Sequence, residues 1–220
     1  MSNLSADIPQ EQLIAGAVGH LEVLFTSPKT TPTKSPASPS SYALICHPHP
    51  LYGGTMHNKV VYMIASTFQR LGVGTVRFNF RGVGKSEGKF DHGEGEIEDL
   101  YAVVEWLEKK WAPTELWLAG FSYGSYVALR GHRQVGATRL LLIAPSVERF
   151  KTKELSLSTL PTLVIQGDRD EIVSPQAVSQ WLAAQAHQPQ LVIIPEADHF
   201  FHRKLPQLRD AILEAWSSNT

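Results

Sequence analysis

One short run, Gly120-Phe121-Ser122-Tyr123-Gly124, limits what this chain can fold into more than any other stretch. It follows the apolar segment Leu116-Trp117-Leu118-Ala119 and precedes a helical-looking stretch, Tyr126 to Arg130. A strand that turns at once into a helix brings the incoming and outgoing backbones nearly into contact. The residues flanking the apex of such a turn must be tiny, and here Gly120 and Gly124 occupy those places. The apex residue is forced into a strained backbone conformation that lifts its side chain above the sheet edge. With serine at that apex, Ser122 is a candidate nucleophile.

The rest of the chain supplies a sheet for such a turn. From Tyr42 onward, short Val-, Ile- and Leu-rich runs recur at Ala43–Cys46, Gly74–Phe80, Glu115–Ala119, Leu140–Ile143, Leu163–Ile165 and Leu191–Ile194. Between them lie segments of helical spacing: Val60, Val61, Ile64, Ala65 and Phe68, then Ile97, Leu100, Tyr101, Val104 and Leu107. Strands buried on both faces and separated by helices predict an α/β protein with a mainly parallel central sheet flanked by helices on both faces. In such sheets the chemistry sits in loops at the carboxyl ends of the strands. Upstream, Leu13–Val18 and His20–Phe25 read as strands of an edge hairpin around Gly19. Residues 27–41, rich in Pro, Ser, Thr and Lys, have no apolar period and read as a flexible surface loop inside the domain. At 220 residues the whole chain, 1–220, is expected to form one domain.

Composition narrows the partners. There are 20 basic and 21 acidic residues, a net charge of −1, which offers no electrostatic footprint for nucleic acid or an anionic membrane. No apolar run approaches the roughly 18 residues of a membrane span. Cys46 is the only cysteine, which excludes an internal disulfide and suits a reducing compartment. Met1 to Gln12 lacks the basic and apolar regions of a signal peptide, so the expectation is a cytoplasmic protein.

A serine hydroxyl is a poor nucleophile near neutral pH and needs an adjacent base, usually histidine, held by a carboxylate. On a strand-turn-helix site of this kind the partners follow in the order Ser, Asp or Glu, His. Leu163-Val164-Ile165-Gln166-Gly167-Asp168-Arg169-Asp170 runs from a strand into a polar turn. Leu191-Val192-Ile193-Ile194-Pro195-Glu196-Ala197-Asp198-His199 does the same. Both Asp168 and Asp170 are candidates for the acid, although Asp168 also suits a turn brace. For the base, His199 lies nearer its strand end than His202 and is preferred. The reaction also needs donors aimed at the developing oxyanion. One is expected from the backbone N–H of Tyr123, directly after the nucleophile. The other should come from the loop His47-Pro48-His49-Pro50-Leu51-Tyr52-Gly53-Gly54, where the prolines have no N–H to give. His49 is the first candidate and Leu51 the fallback. A helix is expected to follow from roughly Thr55.

Four other readings fail on spacing or placement. His47, His49 and His57 have no carboxylate or cysteine partner at metal-ligand spacing. Cys46 ends an apolar strand and reads as buried and inert. Gly84-Lys85-Ser86 resembles the end of a phosphate-binding loop, but the required first glycine falls on Asn79. Gly72-Val73-Gly74 precedes its strand instead of following one, so no dinucleotide fingerprint is present.

With these residues in hand, the chain resembles an α/β-hydrolase from about Leu13 to its final helix. Phe80-Arg81-Gly82-Val83-Gly84-Lys85-Ser86-Glu87-Gly88 is similar to the superfamily's R-G-x-G-x-S turn after the fourth strand. Gly167-Asp168-Arg169-Asp170-Glu171-Ile172-Val173 resembles its G-x-x-D-x-x-V segment, and that resemblance implies Asp170 as the acid. Asp198-His199-Phe200-Phe201 resembles the D-H-F-F around the base. His47-Pro48-His49-Pro50 with Gly53-Gly54-Thr55-Met56-His57-Asn58-Lys59 narrows the likeness to a compact bacterial group near the Xaa-Pro dipeptidyl-peptidase-like and dienelactone-hydrolase-like branches. The interval where lids of this fold are inserted, Pro145 to Pro161, is too short for a helical cap. The resemblance therefore implies a lidless serine hydrolase with a Ser122-Asp170-His199 triad. It implies no cofactor or metal, and a small acyl substrate, most simply a carboxylic ester. Thioester or peptide hydrolysis and acyl transfer need the same triad, and a non-catalytic binding protein of the same fold is the reading of another class.

Overall fold

Eight strands line up in one sheet in the order β1-β2-β4-β3-β5-β6-β7-β8 in a computed structural model that describes residues 9–28, 41–149, 156–157 and 159–217. The strands are β1 (Gln10–Gly16), β2 (Gly19–Thr26), β3 (Ser41–Cys46), β4 (Gly74–Phe78), β5 (Glu115–Phe121), β6 (Arg139–Ile143), β7 (Thr162–Gly167) and β8 (Gln190–Ile194). Interleaved with them are α1 (Lys59–Arg70), α2 (Glu94–Trp111), α3 (Tyr123–Gly131), α4 (Pro175–Ala183) and α5 (Leu205–Trp216). From β4 through β8 every neighbouring pair is parallel, while β1 and β2 are antiparallel to their neighbours and form the edge hairpin. Most of the loop expected over 27–41, namely 29–40, lies outside the described residues.

Side-chain alternation along the strands builds two cores, one on each face of the sheet. Leu116 and Leu118 of β5 point to the side covered by α2, α3 and α4, whereas Trp117, Ala119 and Phe121 point to the side covered by α1 and α5. The helices answer with apolar stripes at three- and four-residue spacing. Val60, Val61, Ile64 and Phe68 of α1 meet Leu208, Ile212 and Trp216 of α5, and the Phe68 and Trp216 rings stack 5.6 Å apart. Helix α3 is buried along nearly its whole length because it lies directly over β5, with α2 packed against its other side. Among the described residues no helix is long and apolar enough to cross a membrane.

Several boundaries differ from those expected, each for a local reason. Helix α1 starts at Lys59 instead of near Thr55, because the Asn58 side chain accepts the Val60 amide (2.9 Å) and caps it there. Strand β4 ends at Phe78. Beyond it the Asn79 amide turns to Glu22 O (2.9 Å) and the Phe80 amide to the His47 ring (3.1 Å). Val18 falls in the hairpin turn, and β2 begins at Gly19, whose φ of 138° suits glycine alone. Strand β5 runs on to Phe121, where it still pairs with Ile143 of β6.

The turn after β4 is a structural clamp. Arg81 Nε and Nη2 donate to Asp99 Oδ1 of α2 (3.0 and 2.8 Å), and the Arg81 amide donates to Asp99 Oδ2 (2.8 Å). Asp99 is wholly buried. A Cβ on Gly95 would lie 2.1 Å from Arg81 Nη1, so α2 needs glycine there to let the guanidinium pass. The Lys85 amide, which a phosphate would need, is instead taken by the buried Glu22 carboxylate (2.9 Å). Removing one partner of a buried, hydrogen-bonded ion pair leaves an uncompensated charge. Asp99→Ala is therefore expected to lower the free energy of unfolding by roughly 3–5 kcal/mol, read from the midpoint of urea denaturation at pH 7.5.

Candidate active site

Ser122 sits between β5 and α3 with φ 54° and ψ −116°, a conformation that non-glycine residues rarely adopt. Contacts on every side impose it. A Cβ on Gly120 would lie 2.2 Å from Gly124 O, and one on Gly124 would lie 2.1 Å from Cys46 O at the end of β3. The turn is also tied to β6: the Ser122 amide donates to Ile143 O (2.8 Å), and Ser125 Oγ donates to Gly120 O (2.7 Å). The Ile143 amide in turn donates to Ser125 Oγ (3.1 Å). The strain at Ser122 is thus held by backbone and small-residue packing of the neighbouring strands.

The structure brings Ser122, His199 and Asp170 together from three strand ends. Ser122 Oγ lies 3.1 Å from His199 Nε2, and His199 Nδ1 lies 2.8 Å from Asp170 Oδ2. All three are buried, with Ser122 8% exposed. Asp170 is surrounded only by donors: His199 and Gln166 Nε2 (2.9 Å) on Oδ2, and the amides of Ile172 (2.9 Å) and Val173 (2.7 Å) on Oδ1. Burial works against its charge, but the hydrogen bonds from His199, Val173 and Ile172 together outweigh it and hold the Asp170 pKa below the ordinary carboxylate value. An ionised Asp170 assigns the proton on His199 to Nδ1, which leaves Nε2 as an acceptor facing the Ser122 hydroxyl.

The rival residues have other partners. Asp168 Oδ1 accepts the Glu196 amide and braces the β7 turn against the loop after β8. His202 is exposed and pairs with Asp198 (2.8 Å). Cys46 is completely buried, and burial pushes its thiol pKa up. Among the described residues no group of three or more His, Cys, Asp or Glu lies close enough to hold a metal ion.

The loop after β3 doubles back on itself beside the turn. Gly54 passes so close to Pro48 that a Cβ would lie 2.0 Å from its carbonyl oxygen, and the Tyr52 and Gly54 amides both donate to His49 O (3.1 Å each). The Leu51 amide donates to His49 Nδ1 (3.2 Å). The His49 and Tyr123 rings pack 4.9 Å apart, so the two residues expected to supply amides to an oxyanion are neighbours. Tyr123 Oη in turn donates to Glu96 Oε2 (2.9 Å), a fully buried carboxylate that also accepts the Gly93 (2.7 Å) and Asp91 (2.9 Å) amides. Burial and the Glu96 charge both raise the Tyr123 pKa, so this phenol stays protonated and keeps donating.

Sequence reasoning did not single out Glu96, Gln166 or Ser146. Glu96 is one of several acids around the apolar stripe of α2, and nothing local marks it as buried. Gln166 is the residue before the Gly167-Asp168 turn, and its position inside β7 gives no sign that its amide reaches Asp170. Ser146, buried, places its Oγ 3.4 Å from Ser122 Oγ. Only the strand order, which puts the end of β6 beside the end of β5, brings it there.

Residues 45–211 match the family described as an alpha/beta hydrolase domain, and the chain belongs to that family. A serine hydrolase of the same fold from Xanthomonas campestris, described as lacking a lid, is 44% identical. It superposes with a TM-score of 0.88 over 97% of this chain and 96% of its own. An α/β serine hydrolase homologue from Coxiella burnetii is 40% identical over 98% of this chain and all of its own, again with a TM-score of 0.88. An uncharacterised Rickettsia prowazekii protein is 38% identical over 189 residues, 81% of this chain and 78% of its own. The chain is thus a hydrolase of the compact, lidless bacterial group, as its motifs implied.

His47 makes the loop beside the turn sensitive to acid. Its Nδ1–H donates to Pro48 O (2.6 Å) and its Nε2 accepts the Phe80 amide (3.1 Å), so only the neutral ring fits. Burial lowers its pKa from 6.5 to about 4, against the opposing pull of the Pro48 carbonyl. Because the folded value lies below the unfolded one, His47's contribution to stability is complete above pH 6.5 and is lost as pH falls through about 4. The lost contribution approaches about 3 kcal/mol. In urea titrations from pH 7.5 to 4.5, His47→Gln should flatten the fall in unfolding free energy, since glutamine accepts the Phe80 amide without titrating. An unchanged slope in the variant would remove His47 as the cause.

Proposed function

We propose that this protein is a serine hydrolase of carboxylic esters that works through an acyl-enzyme on Ser122. The observation that carries the reading is the unbroken chain from Asp170 to His199 to Ser122, at 2.8 and 3.1 Å, with each proton position dictated by the next group. Ser122 Oγ attacks the ester carbonyl while His199 Nε2 takes its proton, and Asp170 stabilises the imidazolium that forms. The tetrahedral oxyanion is received by the Tyr123 amide, at the start of α3, and by the His49 amide across from it. The positive end of α3 adds to this field. His199 then protonates the leaving alcohol, and a water attacks the acyl-enzyme by the same route in reverse.

The surroundings favour a small substrate reached from open solvent. The relatives that share the fold end to end include one described as lidless. Leu51, Tyr52 and Phe200 are exposed large apolar residues, and their segments flank His49 and His199. A rim of this kind suits an apolar acyl or alcohol group and gives little water exclusion. With net charge near neutrality, a small-molecule substrate fits better than nucleic acid. The cytoplasm remains the compartment that the buried, unpaired Cys46 suits best.

Asp170→Asn gives a sharp test. The Ile172 and Val173 amides cannot reverse and hold the asparagine carbonyl, so its NH2 faces His199, which must then carry its proton on Nε2 and can no longer take one from Ser122. A fall in kcat/KM of roughly 10⁴ is expected, measured with p-nitrophenyl esters. A fluorophosphonate should add once, at Ser122, in the wild type and not in Ser122→Ala or His199→Ala, read by intact mass. Parallel arms with thioester and amide substrates separate the related hydrolytic activities. A folded wild type that takes no adduct and turns over none of these substrates would instead favour a binding protein on the hydrolase fold.

A further inference from the structure

We propose that Ser146 is a second hydrogen-bond donor to Ser122 Oγ, acting on that oxygen as the leaving group when the acyl-enzyme breaks down. This rests on the serine-hydrolase reading and adds a residue to it. Ser146 is buried at 3% exposure, and among the described residues its hydroxyl meets Ser122 Oγ at 3.4 Å. The Ser122 hydroxyl hydrogen is directed to His199 Nε2 (3.1 Å), so in the resting site Ser146 donates and Ser122 accepts.

The placement is built into the backbone. Ala144, directly after β6, has φ 44°, a left-handed conformation that costs a non-glycine residue energy and swings Pro145 and Ser146 back over the β5 end. Two ties fix that turn relative to the nucleophile: the Ser122 amide on Ile143 O (2.8 Å), and the Ile143 amide on Ser125 Oγ (3.1 Å). The Ala144 amide also donates to Ile165 O of β7 (2.9 Å). The hydroxyl therefore cannot drift far from Ser122 without breaking the β5–β6–β7 junction.

The two half-reactions use this donor differently. In acylation it occupies a lone pair of the attacking Oγ and so gives no advantage. In deacylation a water attacks the acyl carbon, His199 takes the water proton, and the tetrahedral intermediate collapses with the carbon–Oγ bond breaking. Charge gathers on Oγ until His199 returns the proton to it. Ser146 donates to Oγ throughout that step and keeps its own proton.

The test is stopped-flow hydrolysis of p-nitrophenyl acetate, with the burst rate reporting acylation and the steady state reporting deacylation. Fluorophosphonate labelling, which uses only the attack step, is measured alongside. Ser146→Ala is expected to slow deacylation about tenfold, the worth of one neutral donor. The acyl-enzyme should accumulate as a mass increment on Ser122, with labelling kept within about twofold of the wild type. Ser146→Cys, which keeps the shape with a weaker donor, should lie between them, and it carries the test if the alanine variant is unstable. Equal loss in labelling and deacylation, or no change in either, would overturn the role of Ser146 and leave the hydrolase reading intact. A wild type that shows neither burst nor adduct takes both readings down.

Discussion

The whole site depends on one close approach: the start of α3 pressed against the carboxyl end of β3 while it crosses the end of its own strand. Cys46 O lies where a Gly124 Cβ would be, and Gly124 O lies where a Gly120 Cβ would be. Backbone on backbone at that range leaves no slack, so the Ser122 peptide takes a strained conformation instead of relaxing. The same contact brings the β3 loop, with His49, against the first residue of the helix, Tyr123. A side chain at either glycine would push the proposed nucleophile and both proposed oxyanion donors apart together. Two cores on opposite faces of the sheet, and the Arg81–Asp99 clamp beside it, hold the strands in the order that makes the contact possible.

Protonation states in the site follow from donor counting. Asp170 meets four donors and no acceptor, so it has no reason to hold a proton, and its low pKa follows despite burial. That fixes His199, and His199 fixes the direction of the Ser122 hydroxyl. The second histidine of the region, His47, is settled by the same logic with the opposite result. One nitrogen donates to Pro48 and the other accepts from Phe80, so it is locked neutral and serves only to shape the loop. Gln166 marks where the accounting is incomplete: its amide nitrogen serves Asp170, and its oxygen is buried with no partner. The strand end accepts that cost to keep a donor on the carboxylate.

Much of this was legible in the chain because the signals are local. The glycines around Ser122, the polar turns after β7 and β8 and the period of the helices each record a short-range steric or burial requirement. Sequence order then put Ser122, an aspartate (Asp168 or Asp170) and His199 at strand ends, and the family resemblance pointed to Asp170. The missing parts are those whose partners are distant. Glu96 looks like one acid among several on α2 until Tyr123, 27 positions away, is seen to donate to it. Ser146 gains meaning only from the adjacency of β5 and β6. The early end of β4 likewise depends on groups of β2 and the β3 loop drawing off its last amides. No window of sequence contains both members of such pairs.

The absence of a lid shifts the burden of selectivity onto a small surface. Enzymes that close over their substrates use the closure to expel water and to read chain length. Here the chain between β6 and β7 is too short for that, and part of what it does provide, Ser146, is turned inward toward Ser122. Discrimination must then come from the rim, where Leu51 and Tyr52 extend from the same loop as His49, and Phe200 packs edge-on to His199 with ring centres 5.1 Å apart. Each rim residue is bonded to, hydrogen-bonded to, or in ring contact with a residue to which the proposal gives a role. A change in what the rim accepts would therefore perturb how well the proposed oxyanion donors and base are aimed. On the proposed reading, substrate choice and turnover are expected to be coupled through these few contacts.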